Sequence, residues 1–140
     1  MKRLVAAALL AAPALAFAQG SARDTAIAVV RLLAEGKIEE AAALSNQPQR
    51  RREVLQDYRD RVGDAEFRRI YGRYLEGRIV DEIADGRRRV VIWDLGHIAG
   101  QYFVEKDGRF LLDDEPGEAR DRLRKALADY RKARASARKD

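Results

Sequence analysis

The residues able to carry chemistry are few and thinly spread. There is one histidine, His97, three residues after Asp94, and no cysteine. Beyond residue 18 the hydroxyl nucleophiles are Ser21, Thr25, Ser45 and Ser136, all falling in expected caps, segment ends or the tail. A Ser–His or Cys–His arrangement has no material to work with, which disfavours nucleophilic catalysis. Zinc and copper sites need clustered His or Cys, which one histidine does not supply. Asp113-Asp114-Glu115 lacks the spacing of a calcium loop and reads as a solvated helix cap. No phosphate-binding glycine loop is present. No catalytic residue, metal ligand or cofactor is therefore assigned. An Asp94–His97 pair at a pocket mouth could exchange a proton, although a loop histidine is the simpler reading.

Aromatic side chains offer more. Tyr58, Tyr71, Tyr74, Trp93 and Tyr102, with Phe103 and His97 nearby, could line a cavity between helices and sheet. The competing reading is ordinary core. If a pocket exists, it takes a small apolar or aromatic ligand oriented by tyrosine hydroxyls. Arg50-Arg51-Arg52 and Arg87-Arg88-Arg89 resemble anion clusters, but nearby acids hedge each triplet and a solvated face accounts for them.

The elements that must hold these residues begin with Met1-Lys2-Arg3 and an apolar run from Leu4 to Phe17, ending in Ala16-Phe17-Ala18. A basic start, a short apolar stretch and a small-x-small site predict a secretory signal peptide over 1–18, cleaved after Ala18. The expected destination is a bacterial periplasm, and with no cysteine the chain is not a lipoprotein. A single domain of this length buries roughly two-thirds of its unfolded surface, and its core alone must hold it. The net charge of +5 falls to +3 without Lys2 and Arg3. Residues from Glu118 onward carry +5 of that, and the body before them is slightly acidic.

Ser21 to Asp24 reads as a cap for a helix with Ile27, Val29, Val30, Leu32 and Leu33 on its apolar face, stopped at Gly36. A short helix from about Lys37 to Leu44 follows, then a helix over Arg50–Val62. Gly63 separates that helix from a stripe of Phe67, Ile70, Tyr71, Tyr74 and Leu75. Two hairpins come next. A type I′ turn at Asp85-Gly86 would pair Glu82 with Arg89, Val80 with Val91 and Ile79 with Ile92. A second turn at Asp107-Gly108 would pair Val104 with Leu111 and Phe103 with Leu112. Val90 to Trp93 is apolar throughout, which predicts a central strand covered on both faces. Gly96 to Gly100 reads as a flexible connection. A final charged helix carries only the thin stripe Leu123, Leu127 and Tyr130, with fraying expected after Ala133. Packing on the sheet or on a second subunit is the expected use of that stripe.

The fold class expected is α+β: N-terminal helices on a curved antiparallel sheet of about four strands, followed by a charged helix. The domain is placed at 19–117 and the basic helix and tail at 118–140. The helical hairpin Leu33-Ala34-Glu35-Gly36-Lys37-Ile38-Glu39-Glu40-Ala41 and the strand pair Tyr102 to Asp113 resemble the nuclear transport factor 2-like, or ketosteroid-isomerase-like cone, superfamily over residues 22 to 114. It departs from that family in having fewer strands and a charged helix where strands usually end the chain. The resemblance implies isomerases, dehydratases and pure binding domains alike. None of the isomerase positions is matched here.

These readings converge on an exported binding or interaction domain without catalysis. Its occupant would be a small apolar ligand, a protein partner or a second copy. The alternatives are a ketosteroid-isomerase-like enzyme using Tyr, Asp and His97, or an adaptor whose basic C-terminal helix touches an anionic envelope surface. Export makes nucleic acid an improbable partner.

Overall fold

The computed structural model describes residues 20–139, so the signal-peptide reading of 1–18 lies outside the described residues. Five helices and four strands follow in the order α1 (Ala22–Ala34), α2 (Ile38–Ala42), α3 (Pro48–Val62), α4 (Asp64–Glu76), β1 (Arg78–Asp85), β2 (Arg88–Asp94), β3 (Ile98–Lys106), β4 (Arg109–Leu112) and α5 (Glu118–Lys139). The architecture is α+β, with four helices on one face of an antiparallel β1-β2-β3-β4 meander and α5 on the other.

The ends of α1 are written in its sequence. The Ser21 hydroxyl accepts from the Asp24 amide at 3.0 Å, satisfying one free N–H of the first turn. At the other end Gly36 adopts φ 76°, Lys37 N–H bonds the Leu32 carbonyl at 2.9 Å and Gly36 N–H bonds Leu33 at 3.0 Å. This is the paired closure that a left-handed residue after a helix permits. A side chain at Gly36 would also strike the Arg68 guanidinium of α4, 2.8 Å from the Cβ position. α3 begins at Pro48, two residues earlier than expected, because proline suits the first helical position. Gly63, at φ 88° and ψ 153°, makes the α3–α4 junction a true break.

The two hairpins differ from one another. Around Asp107 (φ 52°) and Gly108 (φ 76°) the register is the expected one, Phe103 with Leu112 and Val104 with Leu111. In the first hairpin the turn residues are Gly86 and Arg87. Glu82 therefore faces Val91 instead of Arg89, and Ile79 faces Trp93 instead of Ile92. Gly86 has φ 59° and Arg87 is not left-handed, the pattern of a type II′ turn led by glycine. A bulge at Val80, between the Ile79 and Asp81 pairs, replaces the expected Val80–Val91 pair. Near the turn the slip is two residues, so Glu82 and Ile83 keep their faces. Beyond the bulge it is one residue, and Ile79 and Val80 exchange faces, Ile79 joining the α1–α4 core and Val80 the α5 side. Arg89 still reaches Glu82 diagonally at 3.8 Å.

β3 starts at Ile98, so most of the stretch expected to be flexible is strand: Ile98, Ala99 and Gly100 pair with Asp94, Trp93 and Ile92. Ile98 is buried, which supplies the reason. Val90, Val91, Ile92 and Trp93 are all buried, as expected of a strand covered on both sides. By alternation Val91 and Trp93 enter the core of α1–α4 with Phe103 and Leu112, while Val90 and Ile92 meet Leu123 and Leu127 of α5. α5 does not fray after Ala133 but remains helical to Lys139. Ala, Arg and Lys are strong helix formers, and Arg134 ties this turn to Asp94 at 3.0 Å. Among the described residues no helix is long and apolar enough to cross a membrane.

Candidate functional site

β3 has nine residues and β4 only four. Beyond Leu112 the chain leaves the sheet, so one edge of β3 has no strand beside it from Ile98 to Tyr102. Backbone groups alternate sides along a strand. The Tyr102 carbonyl faces this edge and accepts from the Asp113 amide at 2.9 Å, and the Ile98 carbonyl faces it and accepts from Arg131 Nε at 3.0 Å. Gly100, midway, presents its peptide groups in the same direction. The result is a cavity of about 180 Å³, open to the surface, between the α1–α4 layer and the first turn of α5. Val29, Leu33 and Leu112 form its apolar wall, Tyr71 and Tyr74 its aromatic wall, and Gly100, Gln101, Tyr102, Arg51, Asp113 and Arg120 its polar one.

The frame around it is made of satisfied ion pairs. Asp113, 2 % exposed, pairs with Arg88 and accepts from Asn46 Nδ2 at 3.2 Å. Asp114 holds Arg51 in a two-bond clamp, with Arg51 Nε at 3.0 Å, and also accepts from the Ser45 hydroxyl. Glu115 accepts from Gln47 Nε2 at 3.1 Å. The acidic run expected to be a solvated cap thus staples the β4–α5 junction to the α2–α3 loop. Ser45 completes the staple as a one-residue parallel bridge to Leu112. Arg120 differs from its neighbours. Its guanidinium lies 5.6 Å from the Tyr102 ring centre, it has no ion-pair partner among the described residues, and its Nε is buried without a hydrogen bond.

Burial pushes the Tyr71 hydroxyl up to about 12, reinforced by Tyr74 and opposed by Arg51. Burial raises Tyr74 and Tyr102 as well. All three phenols are neutral at physiological pH and keep a proton to donate.

The sequence-predicted residues divide three ways. Tyr58, Tyr71, Tyr74 and Trp93 join through Phe67 into one aromatic chain, with successive ring centres 6.0, 5.0, 6.0 and 5.3 Å apart. Only Tyr71 and Tyr74 of these line the cavity. Trp93 supports it from behind, its indole N–H donating to Gln101 Oε1 at 2.7 Å. Tyr102 closes the cavity from the α5 side. His97 is not brought to it: it is exposed at the β2–β3 turn, in a separate depression with Arg73, Glu76 and Asp94. The Asp94 carboxylate bonds the Gly96 amide at 3.0 Å and Arg134. The Gly96 N–H, seconded by Arg134, Arg138 and Arg78, holds its pKa below the usual carboxylate value.

Sequence reasoning missed Arg51, Gln101, Asp113 and Arg120. In the sequence Arg51 belongs to a triplet that reads as a solvated face, and Arg120 is one basic residue among many in α5. Its only signal was its place in an otherwise acidic first turn, beside Glu118 and Asp121. Compared with known proteins, the chain matches no family model, no curated protein and no solved structure at a significant level.

Proposed function

We propose that this chain is a non-catalytic binding domain that holds a small molecule in the cavity at the open edge of β3. The observation that carries the reading is a surface-open cavity whose wall combines apolar Val29, Leu33 and Leu112 with the neutral Tyr71 and Tyr74 phenols and with Arg120, whose Nε finds no hydrogen bond. A buried donor left unpaired costs on the order of 1–3 kcal/mol, a penalty that an acceptor-bearing ligand removes. The volume matches about six waters at ~30 Å³ each, so the ligand is compact, with an apolar or aromatic body and one acceptor end.

The cone-like resemblance and export to a periplasm remain part of this reading and rest on the sequence. Asp94 and His97 lie in a separate depression, away from Tyr71 and Tyr74, and Asp94 bonds Gly96 and Arg134, which favours binding over the enzymatic alternative. The test is native mass spectrometry of the protein purified from its own host. A bound small molecule that is lost in Tyr71→Ala/Tyr74→Ala, with the fold retained, is the expected result. An empty protein, or a ligand retained by that folded double variant, would sink the reading.

A further inference from the structure

We infer that the ligand of this cavity is a small monocarboxylate, its carboxylate received by Arg120. The inference rests on the small-molecule reading above and adds the charge and chemistry of the group recognised.

Charge pairing around the cavity selects it. Arg51 is neutralised by Asp114 and Arg88 by Asp113, each through contacts on largely buried carboxylates. Arg120 is the guanidinium in the wall without such a partner among the described residues. One uncompensated positive charge matches one negative charge. A dianion would lack a second cation and would sit beside the buried Asp113 carboxylate.

Geometry agrees with charge. The Arg120 guanidinium carbon lies 5.6 Å from the Tyr102 ring centre and its Nε finds no hydrogen bond, so its N–H groups are not spent on a protein acceptor in an ion pair. Nε is one of the nitrogens used in two-bond recognition of carboxylates. A carboxylate offers about four lone-pair sites, enough for Arg120 together with a tyrosine hydroxyl. Val29, Leu33 and Leu112 would take the apolar body. A neutral amide of the same shape brings one carbonyl acceptor and no charge.

The test uses the full chain with benzoate and its uncharged counterpart benzamide, titrated separately and followed by amide NMR. Benzoate is expected to shift residues 100–102 and 118–121, and to bind about ten-fold or more tighter than benzamide, the scale of a hydrogen bond to a charged group. Arg120→Gln should abolish that preference. Arg120→Lys, which keeps the charge but loses the fork, should retain only part of it. Equal binding of benzoate and benzamide by the unaltered protein overturns the carboxylate assignment and leaves the cavity reading standing. Displacement of benzoate by inorganic phosphate at equal concentration overturns the assignment in the same way. Failure of both aromatic probes to shift these amides overturns the cavity reading as well. The unaltered protein decides by itself if Arg120→Gln does not fold.

Discussion

The two faces of the sheet are covered by different means. Toward α1–α4 lies a deep apolar core: Val91, Trp93, Phe103 and Leu112 meet Ala26, Val29, Val30, Leu33 and Phe67, and the aromatic chain runs along it. Toward α5 lies a seam: Val90, Ile92 and Ile98 meet Leu123 and Leu127, with Tyr102 and Tyr130 at the margins. Charged contacts stitch that seam, Arg122 to Asp85 at 2.6 Å, Arg134 to Asp94 at 3.0 Å and Arg131 to the Ile98 carbonyl at 3.0 Å. Apolar burial holds the first face whatever the salt. The second depends in part on surface pairs that salt screens and acid removes. The cavity lies where the two coverings meet.

The largest expected effect comes from the deep face. Phe67→Ala removes a fully buried ring that touches both Tyr58 and Tyr71, and should cost about 3–5 kcal/mol in denaturant unfolding. Leu127→Ala should cost about 2 kcal/mol, the lower end for a buried leucine, because a helix held through a thin seam can loosen without taking the rest with it. Equal losses for the two variants would break the distinction between core and seam. Gly100→Ala sharpens it. Alanine ordinarily stabilises a strand relative to glycine. Here its Cβ would sit 2.6 Å from Leu127 Cδ2 and 3.1 Å from Val90 Cγ2. The expected outcome is a loss of about 1 kcal/mol, with Leu123 and Leu127 methyl signals moving while those of Val29 and Val30 stay in place. A gain in stability would mean that α5 is not seated closely.

The smallest effect is pH. A hydrogen bond from Arg122, then its charge, lowers the Asp85 pKa, and Asp94 is lowered by the Gly96 amide and Arg134. A depressed carboxylate contributes stability above its unfolded pKa, near ~4, and loses it as pH falls through the lower folded value. Leu123 and Leu127 methyl signals should therefore broaden or shift on acidification below about pH 4, ahead of those from α1. Simultaneous loss at both faces would contradict this order.

How much of this was legible depended on how local each signal was. Helix caps, the Gly63 break and the aromatic stripe could be read because periodicity and glycine act within a few residues. The Asp107-Gly108 hairpin was legible because both positions accept positive φ. At Asp85-Gly86-Arg87 the same dipeptide sits one step off the turn centre, since glycine could lead a type II′ turn instead. Near the turn that slip is even and keeps each face, whereas at the far end the Val80 bulge makes it odd, and Ile79 and Val80 trade faces. Tyr71, Tyr74 and Tyr102 of the cavity wall were legible as aromatics between helices and sheet, but the cavity's place and its polar residues were not. The cavity arises from the unequal lengths of β3 and β4 and from the staple of Ser45, Asn46 and Arg51 onto Asp113 and Asp114, 63 to 69 residues apart in sequence.

The strand order has a consequence for how the chain comes together in time. Each strand pairs with the one made just before it, so the meander needs no long loop closures and belongs to the quickly assembling class of sheets. Its second face, however, is covered by a helix synthesised only after all four strands. Until Leu123 and Leu127 emerge, a nascent sheet would expose Val90, Ile92 and Ile98 to solvent. Vectorial appearance of the chain thus makes that bare strip an interval of vulnerability to aggregation, and a natural holding point for a chaperone.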